Sequence, residues 1–308
     1  MTSSDPRTRR LRTPCGRSVL VLAAAGLLAA SATAHPGAGI AVDRLGRVHF
    51  LDTGSGLWRI DPRGGLTHLS ETRFHWLAID EHDRSANTRL PWGARGEIVR
   101  VGSSPTVLLS SDFPIAIGED GNLYYPSGSP GDLRIMRLTP SGATSVLATL
   151  PGAAKGEPLP HIGGLVAGPD RSLYYSEDGA IRRIDAQGRV STVVVVPARA
   201  DPPSIPGTDQ HPCLRGLAVD ERGVVTVADA GDARVLRITS DEKITTLLQT
   251  QSPWSPTAVA LSGGDVYVLE FLHTEREVRR DWLPRVRKIA SNGESTLVAT
   301  VDRMPGAR

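Results

Sequence analysis

The 308-residue sequence predicts an all-β fold, a six-bladed β-propeller with four antiparallel strands per blade. Three observations predict it: an apolar alternating segment recurs six times, a tight turn and second strand follow it, and a third strand carries a basic residue between apolar ones.

The recurring segments are Gly39-Ile-Ala-Val-Asp43, Trp76-Leu-Ala-Ile-Asp80, Pro114-Ile-Ala-Ile-Gly118, Gly164-Leu-Val-Ala-Gly168, Gly216-Leu-Ala-Val-Asp220 and Ala258-Val-Ala-Leu-Ser262, with starts 37, 38, 50, 52 and 42 residues apart. Self-similarity at such a period marks a repeat architecture. Second strands follow over Gly46–Asp52, Gly121–Ser127, Arg171–Glu177, Gly223–Asp229 and Gly264–Glu270. The second repeat departs, because Arg84-Ser-Ala-Asn-Thr-Arg89 is polar and makes a poor strand. Third strands centre on Arg59, Arg100, Arg137, Arg183, Arg237 and the Arg287-Lys288 pair. Their repetition reads as structure: a long side chain lies over apolar surface and keeps its charge in water. Four short strands with period-2 patterning describe one blade, and a lone blade must stack against neighbours. The first unit opens with an innermost strand and the last closes with an outermost one, so the ring closes between whole blades.

Residues 1–34 read as an export signal. Arg7, Arg9, Arg10, Arg12 and Arg17 precede an apolar run from Val19 to Ala30, and Ala32-Thr33-Ala34 supplies the small-x-small cleavage pattern. The run is short for a membrane span, which needs about 20 residues. Cleavage before His35 leaves residues 35–308 as the propeller, secreted or periplasmic, with no membrane attachment. The signal takes five arginines and one aspartate with it, so 30 basic and 32 acidic residues remain. A near-neutral chain gives no reason to expect a nucleic-acid partner. Cys213 is then the one remaining cysteine, which excludes an intramolecular disulfide; beside Arg215 it reads as a small buried thiol. A monomer is expected.

Loop lengths identify the working face. Turns from first to second and from third to fourth strands are tight, whereas the insertions Pro151–Ile162, Pro197–Leu214 and Phe271–Pro284 all fall on the opposite face. Long loops on a rigid scaffold carry function. His35, His75, His161, His211 and His273 share that face, while His49, His68 and His82 lie elsewhere. The residues before the innermost strands ring the channel mouth: Ala38, His75, Phe113, Gly163, Arg215 and Thr257. Second strands end there in Asp52, Ser127, Glu177, Asp229 and Glu270. Arg215 is suited to a carboxylate or phosphate, and His75 to a base or ligand role with Glu270 or Glu177 as partner. The candidate ligand-binding set is therefore His75, Arg215, Glu270, Phe113, Glu177 and Thr257. His75, His161 and His211 are the candidate ligands should a divalent metal, calcium or zinc, be bound. Asp52 and Asp229 read instead as loop caps.

Segments such as Gly216-Leu-Ala-Val-Asp-Glu-Arg-Gly223, Thr226-Val-Ala-Asp229 and Arg234-Val-Leu-Arg-Ile238 resemble the NHL repeat across nearly the whole mature chain. The resemblance implies a blade, not a chemistry. Similar six-bladed propellers include calcium-dependent gluconolactonase-type hydrolases, strictosidine-synthase-like proteins and a zinc-containing peptide-amidating lyase. The lactonase ligand positions read Ala38, Gly163 and Arg215 here. The Pro-His pairs of the lyase become Phe74-His75, and Pro160-His161 is displaced by two residues. Neither metal set is reproduced. The reading is an exported binding or interaction module that takes a small molecule, glycan or protein at the elaborated face. The alternative is a lactonase-like hydrolase or a lyase with an atypical site at the same mouth.

Overall fold

Neighbouring residues of a strand point to opposite sides of its sheet, and here both sides are used. The computed structural model describes residues 37–93, 96–102, 104–129, 132–151, 161–198, 213–272 and 283–301. In it Phe50 packs toward the sixth blade while Leu51 packs toward the second. Val227 and Ala228 divide likewise between the fourth-blade and sixth-blade sides. Six four-stranded antiparallel sheets result, with an apolar cluster between each neighbouring pair. Each fully buried Leu, Ile or Phe contributes about 1.5–3 kcal/mol, so the gaps between blades hold the ring together. The chain divides into two units, Met1–Thr33 and Ala34–Arg308, and every described residue belongs to the second.

Blade one runs through Ile40–Val42, Val48–Asp52, Gly56–Ile60 and Leu66–Ser70. Blade three comprises Ala116–Ile117, Leu123–Ser129, Asp132–Leu138 and Thr144–Thr149; blade four comprises Ile162–Ala167, Leu173–Glu177, Ala180–Ile184 and Val190–Val195. Leu214–Val219, Val225–Asp229, Arg234–Ile238 and Ile244–Gln249 make blade five. Trp254–Ser262, Asp265–Leu272, Pro284–Ile289 and Ser295–Thr300 make blade six. In these five sheets spatial order follows chain order. The tight turns are held by their first aspartate. Asp220 Oδ1 accepts the N–H groups of Arg222 and Val224, both at 2.9 Å, and Asp43 Oδ1 does the same for Leu45 and Arg47. Gly223 supplies the positive φ of 77° that closes such a turn.

Blade two differs in topology. Trp76–Asp80 pairs directly with Thr106–Ser110, which pairs with Gly96–Val101 and then Trp92–Gly93. The position beside an innermost strand is covered on both faces, and Thr106–Ser110 is buried throughout, as Val48–Asp52 is in blade one. The polar Arg84–Arg89 stretch cannot occupy such a slot, so the last apolar strand of the repeat does. The displaced stretch forms turns against blade three on the tight-turn face. There Thr88 Oγ1 donates to Pro140 O at 2.7 Å, and Asp80 Oδ2 accepts from the backbone N–H and hydroxyl of Ser85.

The ring closes between whole blades. Blade one lies against blade six through Phe50, Ile60, Leu269, Phe271 and Val286. Thr257 Oγ1 donates to Gly37 O at 2.8 Å across the same junction. The innermost strands begin at one face: Ala38 N–H donates to His75 O at 2.8 Å, and Ser176 Oγ donates to Arg215 O at 2.8 Å. A Cβ on Gly163 would stand 2.3 Å from Leu214 O, so glycine lets blades four and five approach at this level. Strand ends flanking all three long insertions lie on this face; most of each insertion, the signal at residues 1–34, His35, His211 and His273 lie outside the described residues.

Candidate functional site at the channel mouth

The carboxylates that end the second strands are already engaged within their own blades. Asp52 is fully buried and accepts the Gly54 N–H at 2.9 Å and the Ser55 hydroxyl. Glu177 pairs with Arg182 at 3.0 Å and Asp229 with Arg234 at 2.9 Å. Asp229 also accepts the Cys213 N–H at 3.1 Å, and the Cys213 side chain is buried. Glu270 is fully buried between Arg285 and Arg287, at 2.5 and 3.3 Å, and Arg285 lies 3.8 Å over the Trp254 ring. In place of the expected partnership of His75 with Glu270 or Glu177, these carboxylates meet arginines of the third strands, which the register places directly opposite or two pairs along on the same face.

The ring of residues before the innermost strands divides into two parts. On one side His75 is buried, and its Nδ1 lies 2.6 Å from Ser111 O, which fixes that nitrogen as the donor. Trp76 stacks obliquely at 5.5 Å from the imidazole. Phe113 is half-buried against Tyr125, 6.0 Å between ring centroids, at the edge of the core between blades two and three. Thr257 is buried at the ring closure.

On the other side stand Arg215 and His161, at the starts of the adjoining fifth and fourth blades. The surrounding protein holds the His161 imidazole below its ordinary pKa, an effect weakened where the ring reaches solvent; the Arg215 charge adds to it, and Asp178 opposes it. The structure thus sets Arg215 near enough to His161 for its charge to be felt there, and places His75 in another blade. Among the described residues the Arg215 guanidinium makes no ion pair or side-chain hydrogen bond. Among them also, no three His, Cys, Asp or Glu side chains gather as a metal site would require.

Behind the mouth the innermost strands of all six blades line a channel of about 200 Å³. Its lining side chains are apolar, Ile40, Trp76, Ile117, Leu165, Leu217 and Val259 among them, with no charged or hydroxyl side chain among the described residues, while the strand backbones present polar groups between them. The sequence reading placed polar residues at the mouth and did not anticipate an apolar wall behind them, although the six alternating segments already spell it out.

Sequence reading also passed over a buried polar cluster on the tight-turn face. His49 Nε2 lies 3.0 Å from Asp43 Oδ2, which also takes Arg47 Nε at 2.5 Å. Desolvation lowers the His49 pKa against the pull of Asp43. For Asp43 desolvation acts upward, but hydrogen bonds from His49 and Arg47 outweigh it and hold the carboxyl low.

This architecture defines the chain as a six-bladed β-propeller with a cationic, apolar-backed channel mouth. No protein-family model matches it, and no curated protein matches its sequence. Solved structures do. A protein of unknown function from Bacteroides thetaiotaomicron superposes with a TM-score of 0.54 at 13% identity, covering 82% of this chain and 68% of that one. A streptogramin B lyase superposes at 0.50 and 15%, covering 84% and 81%. Regucalcin from Agrobacterium tumefaciens, described as a calcium-binding protein, superposes at 0.49 and 16%, covering 76% and 81%. At these identities the likeness establishes the fold alone.

Proposed function

We propose that this chain is an exported binding propeller whose ligand is a small organic anion with an apolar body. The observation that carries the reading is Arg215. Third-strand arginines are neutralised by the buried carboxylates that end the second strands, whereas Arg215 has no ion-pair partner among the described residues and stands at the mouth of a channel of about 200 Å³ lined by apolar side chains. A guanidinium without a protein partner is suited to a carboxylate or phosphate, and an apolar cavity gains from a hydrocarbon body. His75, buried and held by Ser111, shapes the opposite wall of the mouth. Export rests on the sequence signal, with cleavage before His35 and a secreted or periplasmic product. Intact-mass measurement of the exported protein should return residues 35–308. Native mass spectrometry of the same preparation should find a bound species that leaves on Arg215→Ala. A membrane-bound, full-length product would sink the export claim.

A second reading is favoured by His161. An imidazole kept neutral beside a guanidinium is what a general base next to an anionic substrate needs, so a hydrolase or lyase would work from this pair. Loss of turnover of a lactone or ester in His161→Ala, with binding retained, would shift the assignment to catalysis. Among the described residues no calcium or zinc set forms at the mouth, and neither reading routes a step through a metal.

A further inference from the structure

A second feature lies on the opposite, tight-turn face and follows from comparing the blades with one another. In each blade one residue of the second-position strand stands opposite the basic residue of the third. Four blades place a ring there: His49 opposite Arg59, Tyr124 opposite Arg137, Tyr174 opposite Arg183, and Tyr267 opposite Lys288. Opposed residues of a ladder project to the same side, so ring and cation are neighbours; Lys288 Nζ stands 5.9 Å from the Tyr267 centroid. In blade two Leu108 is opposite Arg100, and the turn segment covers the cation. There the Arg100 guanidinium donates to Ser85 O at 2.6 Å and Thr88 O at 2.8 Å. Blade five has neither device, because Thr226 stands opposite Arg237.

The missing ring leaves space. Between blades three and four, where Tyr124 meets the next blade's turn, the gap is about 20 Å³. Between blades five and six, where Thr226 meets the Gly263-Gly264 turn, a groove of about 730 Å³ opens. Its walls include the apolar Val219, Val224 and Leu261, and its polar groups are Asp220, Glu221, Arg222, Thr226, Arg237, Ser262 and Ser291, two acids against two arginines. Among the described residues Arg237 has no ion pair and no side-chain hydrogen bond, and its Nε is buried without a partner. The Nε atoms of Arg59 and Arg100 share that property, but Arg59 has His49 as its ladder partner and the Arg100 guanidinium donates to the Ser85–Thr88 turn. Of the two acids that line the groove, Asp220 is committed, since one oxygen takes two backbone N–H groups and the other faces Arg222 at 3.5 Å, and Glu221 is exposed to solvent on the turn.

We propose that this groove is a binding site for a small aromatic carboxylate. The ligand ring takes the place of the tyrosine that the neighbouring blades carry, against Val219, Val224, Leu261 and the aliphatic stem of Arg237. The carboxylate takes the guanidinium as a bidentate partner. The site is independent of the channel mouth and stands on the opposite face.

The test is calorimetric titration of the full-length mature propeller with 4-hydroxybenzoate. Saturable binding is expected in the wild type. Thr226→Tyr restores the residue of blades three, four and six; it should fold, leave the melting temperature unchanged or higher, and weaken binding at least tenfold. Arg237→Gln should weaken 4-hydroxybenzoate at least tenfold while leaving the weaker binding of uncharged 4-hydroxybenzyl alcohol within threefold, and it carries the test should Thr226→Tyr misfold. Arg215→Ala should leave this titration unchanged, which separates the groove from the mouth. No saturable binding by the wild type would overturn the proposal. So would undiminished binding in both groove variants, or loss of binding through Arg215→Ala alone.

Discussion

Arg285 and Arg215 stand on the same face in adjacent blades and serve opposite ends. Arg285 is locked between the Trp254 ring and the buried Glu270 carboxylate, and its charge is spent inside blade six. Arg215 borders the channel mouth with no ion pair to a carboxylate among the described residues, and its charge acts outward far enough to depress the His161 pKa. The contrast teaches that residue type says little about a propeller arginine. Whether the fold has already neutralised it says much more. Arg182 and Arg234 belong with Arg285; Arg237 belongs with Arg215.

The largest expected effect comes from breaking a neutralised arginine. Glu270→Ala leaves Arg285 and Arg287 facing each other without their shared carboxylate, and losing one partner of a buried pair costs about 3–5 kcal/mol. Urea unfolding should show that loss. A change below about 1 kcal/mol would place Glu270 outside the framework and return it to the ligand-binding set.

The buried His49–Asp43 cluster gives the next effect, through pH. Both groups have folded-state values held low. As pH falls below the ordinary imidazole value of about 6.5, the unfolded chain takes up a proton that folded His49 refuses, so stability is lost. A second loss follows below the ordinary aspartate value of about 3.9 as Asp43 is protonated. Stability measured from pH 7 to 5 should decline by at most about 1.4 kcal/mol per unit for one such group. His49→Gln should flatten that slope; an unaltered slope would assign the acid sensitivity elsewhere.

Smaller still is the effect of filling the groove. Thr226→Tyr should stabilise the propeller by about 0.5–2 kcal/mol, the usual gain for cavity-filling changes, and a clear loss in thermal unfolding would contradict the comparison of blade five with blades three, four and six.

Much of the fold was legible because the blade pattern is written in period-2 alternation and Asp-x-x-Gly turns. Closure between whole blades and the irregularity of blade two were readable on the same grounds. The strand order in blade two was not: Thr106–Ser110 and Arg84–Arg89 both follow Trp76–Asp80, and only their burial decides which can lie beside it. The candidate site was legible in position more than in partnership. His161, just before Ile162–Ala167, and Arg215, the second residue of Leu214–Val219, stand at the mouth because innermost strands begin there. That Glu270 and Glu177 face third-strand arginines instead of His75 depends on ladder register, which a single sequence does not state. Thr226 at the tyrosine position was visible in the repeats, but the groove it opens depends on the neighbouring turn.

The central claim is that Arg215 is held for a ligand and not for the fold. Calorimetric titration with hexanoate, and with uncharged hexanol for comparison, tests it most directly on wild type and Arg215→Ala, alongside thermal unfolding of both. Saturable hexanoate binding that exceeds hexanol and falls at least tenfold in the variant, with stability within about 0.5 kcal/mol, is the predicted result. Equal binding by both proteins, or a variant that loses stability while binding is unchanged, would contradict it.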